Sequence, residues 1–262
     1  MPDFPGRGFR IHYEDRGSGD SVVFLHGYLM EHHLFDAQVA RLSTHYRCVA
    51  PDRRGHGNSE CPPGPWTITD LVDDVVALVQ RLAVGPCHLV GMSIGGAEVT
   101  RIALDHSELV RSLVYVDAPA DPQLPEGASF DPDEVAERGL SPELLELSGL
   151  VLYGERFRTE HPEEIAEHVE RIRQLPNRTI GEGLRINLNT QPVSDRLGEI
   201  GMPALVIHGS DDVALPLDVS ASVAAGIPGA RLELIEGAGH SCPIEAPDEV
   251  TAAIELFLGS LN

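Results

Sequence analysis

The sequence predicts an α/β fold: a mostly parallel central sheet flanked by helices, with a helical segment inserted near its middle. Three observations carry this. Short β-rich apolar runs alternate with amphipathic stretches. Most of the runs are too uniformly apolar for a sheet with one face in water, as expected of parallel strands covered on both sides. From about residue 119 to 195 the alternation stops.

The strands are read in order at FRIHYED, SVVFLHG, YRCVAPD, CHLVGMS, RSLVYVDAP, PALVIHGSDD and ARLELIEGAG. Between them, TITDLVDDVVALVQRL places Leu71, Val75, Leu78, Val79 and Leu82 at helical spacing. GGAEVTRIALDH and PDEVTAAIELFL give two further helices, the latter with Pro247 in its first turn, where a missing N–H costs nothing. The middle segment opens with APADPQLPEGASFDPDE and then offers two helical stretches, SPELLELSGLVLYGERF and PEEIAEHVERIRQL. In the second, Ile165, Val169 and Ile172 form a stripe expected to pack on the core. The expected organisation is a core of residues 1–118 and 196–262 carrying a helical cap at 119–195.

Charge removes whole classes of function. Forty-one acidic residues face 19 basic ones, a formal charge of −22, which repels phosphate backbones and anionic lipid. Nucleic acid and membrane are therefore not expected partners. All 19 basic residues are arginine, so neither a Schiff-base lysine nor a P-loop lysine is available. The opening residues MPDFPGRGFR hold no apolar run of signal-peptide length, and no stretch approaches a membrane span, so the cytoplasm is expected. Cys48, Cys61, Cys87 and Cys242 lack metal-binding spacing and read as reduced thiols.

Chemistry concentrates first in Gly91-Met92-Ser93-Ile94-Gly95, a G-x-S-x-G pattern between an apolar strand and a helix. A serine at so sharp a turn needs neighbours without bulk two residues either side, hence Gly91 and Gly95. A serine hydroxyl also needs a base, an acid to hold that base, and donors for a developing oxyanion. His240 in EGAGHSC, after the last strand, offers the base, and HGSDDVALP offers Asp211 and Asp212 after the preceding strand.

With these residues in place the chain resembles the α/β-hydrolase fold enzymes. The resemblance extends to His26-Gly27, to Asp52, Arg54, Gly55, Gly57 and Ser59 in DRRGHGNS, and to Gly237, Gly239, His240, Glu245 and Pro247. It implies a catalytic triad of Ser93, Asp212 and His240, with Gly209, Asp212 and Pro216 matching the family's acid pattern and favouring Asp212 over Asp211. Asp117 occupies a second place where some relatives carry the acid. The implied oxyanion hole is the backbone N–H of Tyr28 and Ile94, with His26 holding the loop and Arg54 pairing locally. His32 and His33 are not read as metal ligands.

The resemblance implies a cofactor-free, metal-free serine hydrolase of a small or medium carboxylic ester or lactone. Leu29, Leu144 and Tyr153 are the expected substrate contacts, within an apolar site supplied by the leucines at 144, 145, 147 and 150 and by Phe157. Cys242 is expected near the pocket. Two alternatives share the triad: a haloperoxidase or perhydrolase, disfavoured by Leu29 where those enzymes carry proline, and a carbon–carbon bond hydrolase, disfavoured by Met92 in place of asparagine. A third is a non-catalytic receptor on the same fold.

Overall fold

A computed structural model describes residues 3–5, 7–124 and 130–261. It opens with strands β1 (Asp3–Pro5), β2 (Arg10–Gly17) and β3 (Ser21–Leu25), then α1 (Asp36–Leu42), β4 (Arg47–Pro51) and α2 (Ile68–Leu82). Strand β5 (Cys87–Met92), α3 (Ile94–Asp105) and β6 (Val110–Val116) follow. Between β6 and the next strand the described residues hold five α-helices, α4 (Pro132–Arg138), α5 (Pro142–Leu152), α6 (Glu155–Glu160), α7 (Pro162–Gln174) and α8 (Asn177–Asn189). The chain ends with β7 (Ala204–Gly209), α9 (Leu217–Gly226), β8 (Arg231–Ile235), α10 (Cys242–Glu245) and α11 (Pro247–Gly259).

The strands form one sheet in the order β1-β2-β4-β3-β5-β6-β7-β8, parallel from β4 to β8 and antiparallel at the β1 and β2 edge. Period-two alternation explains the apolar runs. Val23, Leu25, Leu89, Leu113, Tyr115 and Val206 face the layer of α2, α3 and α9. Val22, Phe24, Val90, Val114, Leu205 and Ile207 face the layer of α1 and α11. Both faces are covered, so β3, β5 and β7 are buried throughout, and each large apolar side chain there contributes about 1.5–3 kcal/mol of transfer. Edge strand β8 differs, with Arg231 through Leu234 exposed.

Helix α2 begins at a capping box: the Thr67 hydroxyl accepts from Asp70 N while the Asp70 carboxylate accepts from Thr67 N. The α7 stripe does not pack on the core as expected. Ile165 and Val169 face Gly149 of α5, where a Cβ would meet them at 3.0 and 3.1 Å. No helix among the described residues is long and apolar enough to cross a membrane.

Candidate active site

The parallel strands all deliver their C-terminal ends to one edge of the sheet, where loops from different strands converge. His26 and Gly27 follow β3, Asp52 follows β4, Ser93 follows β5, Asp117 follows β6, Asp212 lies after β7 and His240 after β8.

Ser93 has φ 53° and ψ −122°, a conformation that a residue with a side chain rarely adopts. The chain tolerates it because a Cβ on Gly91 would run into the Gly95 carbonyl, and one on Gly95 into the Leu25 carbonyl. Ser93 N donates to Val116 O at 3.1 Å and Ser93 O accepts from Gly96 N at 2.8 Å, which fixes the turn from both sides. Ile94 is the first residue of α3, so its N–H is one of the amides that no helical carbonyl takes.

His240 Nδ1 lies 2.8 Å from Asp212 Oδ2, with the Asp212 side chain fully buried. The other Asp212 oxygen accepts from Ala214 N and Leu215 N at 2.8 and 2.9 Å. A carboxylate holding three partners is fixed in orientation and so fixes the ring, leaving Nδ1 protonated and Nε2 basic. Burial works against charge on His240, but the Asp212 carboxylate, aided by Glu245, outweighs it and raises the imidazole above its ordinary value. Asp211 is exposed and accepts from Ser210 Oγ.

Asp117 sits fully buried beside this pair, its Oδ1 accepting from Gly209 N at 2.7 Å. Burial first, and the Asp212 charge second, push its carboxyl up to about 8, so it is protonated at neutral pH.

The glycine-rich loop before His240 is tied down. Glu245 accepts through Oε2 from Gly239 N and Gly154 N, both at 2.9 Å, and through Oε1 from Ser241 N at 3.1 Å. One carboxylate thus clamps the residues flanking His240 to the turn between α5 and α6. Cys242 does not line the cavity: it is fully buried, and burial pushes its thiol well above the ordinary range.

Across the site, the His26-Gly27 loop is held by a residue the sequence did not single out. Arg53 donates from Nη2 to His26 O at 2.6 Å, from Nη1 to Gly27 O at 3.3 Å and from Nε to Glu98 Oε1 at 2.8 Å. Arg53 N also donates to His26 Nε2, so the proton sits on Nδ1, which donates to Gly27 O at 2.8 Å. Burial, then the Arg53 charge, hold His26 well below its ordinary value and hence neutral. In a trans peptide the carbonyl and the next N–H point opposite ways. Anchoring Gly27 O therefore turns the Tyr28 N–H away from Arg53. The only advance signal for this grip was Glu98, a lone acid in the otherwise apolar start of α3. Arg54 pairs with Asp74 of α2 at 2.7 Å. His32 Nδ1 meets Asp52 Oδ1 at 2.8 Å.

Ser93, Ile94, Tyr28, Leu29, Leu144 and His240 all line one cavity of about 430 Å³. Leucines and Phe130 dominate its walls, and none of the described lining residues is Asp, Glu or Arg. Of its few polar side chains, Ser148 donates to Leu145 O and Asn187 to Gly183 O, both within their own helices. Tyr153 is a correction to the expected contacts. Its hydroxyl is bound to His168 at 2.8 Å and its ring stacks on Phe157, so it lines a second cavity instead.

A family model described as the alpha/beta hydrolase fold matches residues 20–247. The chain belongs to this family. The hydrolase is 30% identical over 226 residues to the carbamate hydrolase candidate RutD of Agrobacterium fabrum, covering 84% of this chain and 86% of that one. Among solved structures it resembles the enol-lactonase of Burkholderia xenovorans, with TM-score 0.90, 25% identity, and 98% and 100% of the two chains covered. It also resembles a thermophilic esterase of Thermogutta terrifontis, with TM-score 0.89, 27% identity, and 99% and 98% covered.

Proposed function

We propose that this hydrolase cleaves an uncharged carboxylic ester or lactone with an apolar acyl or alcohol part, through an ester formed on Ser93. The observation that carries the reading is that the strained Ser93 and the His240–Asp212 pair open onto the same apolar cavity.

Ser93 Oγ attacks the substrate carbonyl as His240 Nε2 takes its proton, and Asp212 stabilises the imidazolium. The carbonyl oxygen, now negative, is met by the N–H groups of Tyr28 and Ile94. Collapse breaks the ester bond, and His240 returns the proton to the departing alcohol. Water then enters, gives its proton to His240 and attacks the acyl carbon; collapse breaks the bond to Ser93 Oγ, which takes that proton back from His240 as the acid leaves. No cofactor or metal is needed for any step.

The enol-lactonase and esterase likenesses support acyl transfer from an ester. A carbamate is small and polar, and leucine walls around about 430 Å³ match it poorly. A p-nitrophenyl ester of short to medium acyl chain tests the reading. Expected are release of nitrophenolate and a mass gain of one acyl group on the peptide holding Ser93. A protein that binds such esters, thioesters or lactones without turnover or adduct is a receptor, and the hydrolase reading then fails.

A further inference from the structure

His168, on α7 and outside the substrate cavity, is buried between two polar partners. Its Nε2 lies 3.1 Å from Leu29 O and its Nδ1 lies 2.8 Å from the Tyr153 hydroxyl. A carbonyl can only accept, so Nε2 carries the proton and Nδ1 accepts from Tyr153. Burial pushes the ring down to about 4, which keeps it in this neutral form at neutral pH.

Leu29 needs such a partner. It has φ 63°, left-handed backbone that a branched side chain adopts only when the surroundings impose it. It directly follows Tyr28, whose N–H is the proposed oxyanion donor. Leu29 also forms a wall between two spaces, lining the substrate cavity on one side and a second cavity of about 410 Å³ on the other. His168 lines that second cavity as well. The loop therefore has room into which it can relax, and the His168 bond opposes that relaxation.

The same helical segment grips the loop twice more. The Tyr28 hydroxyl donates to Ile180 O of α8 at 2.6 Å, and a Cβ on Gly183 of α8 would collide with the Tyr28 ring. Tyr153 precedes Gly154, whose N–H is held by the Glu245 carboxylate that also clamps the His240 loop. A hydrogen-bonded path thus runs from Leu29 through His168, Tyr153 and Glu245 to the residues beside His240.

We propose that His168 is a positioning residue for the oxyanion hole: by holding the Leu29 carbonyl it fixes the loop that presents the Tyr28 N–H, so that helices α5 to α8 assemble the hole rather than only covering the substrate. This rests on the serine-hydrolase reading above. Because Arg53 and His26 still anchor Gly27 O, loss of His168 loosens the donor rather than removing it. The expected fall in kcat is about tenfold to thirtyfold, below the 10²–10³ for outright loss of a donor.

The experiment compares wild type, His168→Ala and His168→Gln with p-nitrophenyl hexanoate, alongside the affinity of an alkyl trifluoromethyl ketone that mimics the tetrahedral intermediate. His168→Ala should lower kcat by that factor with KM within about twofold, and weaken the ketone in parallel with kcat. His168→Gln, whose amide nitrogen can reach the place of Nε2, should restore most of both. Equal kcat in wild type and His168→Ala overturns the inference. So does a joint loss of kcat, KM and thermal stability that glutamine fails to rescue, which marks a packing role. If His168→Ala does not fold, Tyr153→Phe removes only the hydroxyl that fixes the ring, and unchanged kcat there is equally decisive against it. A wild type that forms no adduct at Ser93 overturns the hydrolase reading itself, whereas an active wild type with indifferent variants overturns this inference alone.

Discussion

Arg53 and Glu98 form a buried ion pair that joins the His26-Gly27 loop to the nucleophile helix α3. Burial raises the Glu98 carboxyl above its ordinary value in spite of Arg53. The pair is thus costly to bury, and geometry rather than stability explains its place. Arg53→Met should destabilise by about 3–5 kcal/mol in urea unfolding, because Glu98 is left buried without its partner. Adding Glu98→Leu should recover most of that stability. Turnover should stay low in the double variant, since His26 O then loses its Arg53 donor and Gly27 O keeps only the His26 ring and Met30 N. Recovery of both together would mean that the pair serves packing only.

Ser93→Ala and His240→Ala should each lower esterase kcat by a factor on the order of 10³ or more with folding intact, since the groups act as one unit. Retention of a tenth of the activity by either variant removes that residue from its role.

The acid is separable by substitution at three positions. Asp212→Asn should lower kcat by about 10³ or more, because the amide cannot hold the imidazolium. Asp211→Asn should be neutral, as its carboxylate faces solvent. Asp117→Asn should stay within about fivefold of wild type, since Asp117 is already uncharged and an amide oxygen can still accept from Gly209 N. A steady-state series over the three variants decides this, and a severe Asp117→Asn defect would move the acid to the end of β6.

How much of this could be read in the chain follows from the range of each constraint. The elbow is local: the backbone of Ser93 dictates Gly91 and Gly95 within five residues, so the motif names itself. The strand ends bring Asp211, Asp212 and His240 into view, and only the family resemblance favours Asp212 over Asp211. Helix α8 is not among the helices the sequence offers; its Gly181 and Gly183 are close approaches, since a Cβ at Gly181 would crowd Ala136 of α4 and one at Gly183 the Tyr28 ring. Helix α4 starts inside the segment's opening stretch, where Asp131 accepts from Asp133 N and Glu134 N ahead of Pro132, a start signal that a seven-residue helix makes easy to overlook. Arg53 joins His26 in holding the loop, and Tyr153 turns from the substrate to His168. Both depend on side-chain direction across elements far apart in sequence, which no local pattern encodes.

The raised His240 value sets the acid limb of the pH profile. Only the neutral ring can take the Ser93 proton, so kcat/KM should rise with pH through a midpoint above the ordinary histidine value of 6.5 and then level off. The stability linked to the same group runs the other way. It is fully present below the unfolded value and is lost as pH rises through the folded one, so the enzyme works where this contribution has been given up. A midpoint below 6.5 would show that burial, not Asp212, governs the ring.

Substrate charge gives the last discrimination. The cavity walls carry no acid or arginine among the described residues, and the chain as a whole carries −22. Taking an ionised carboxylate into such a site without a partner costs several kcal/mol, and about 1.4 kcal/mol is tenfold. The p-nitrophenyl hexanoate ester should therefore exceed the p-nitrophenyl half-ester of adipic acid by at least about a hundredfold in kcat/KM. Leu147 lines the cavity yet is 48% exposed, so an arginine there is tolerated by the fold and stays partly hydrated. Exposed ion pairs are worth about 0.2–1 kcal/mol, so Leu147→Arg should narrow the gap by no more than about fivefold. The half-ester should gain in KM rather than in kcat, because the new charge meets the far end of the substrate equally in ground and transition states. Equal rates for the two esters in wild type would mean that the acyl chain lies outside the cavity, and the apolar-substrate reading would fall while the Ser93 chemistry stood.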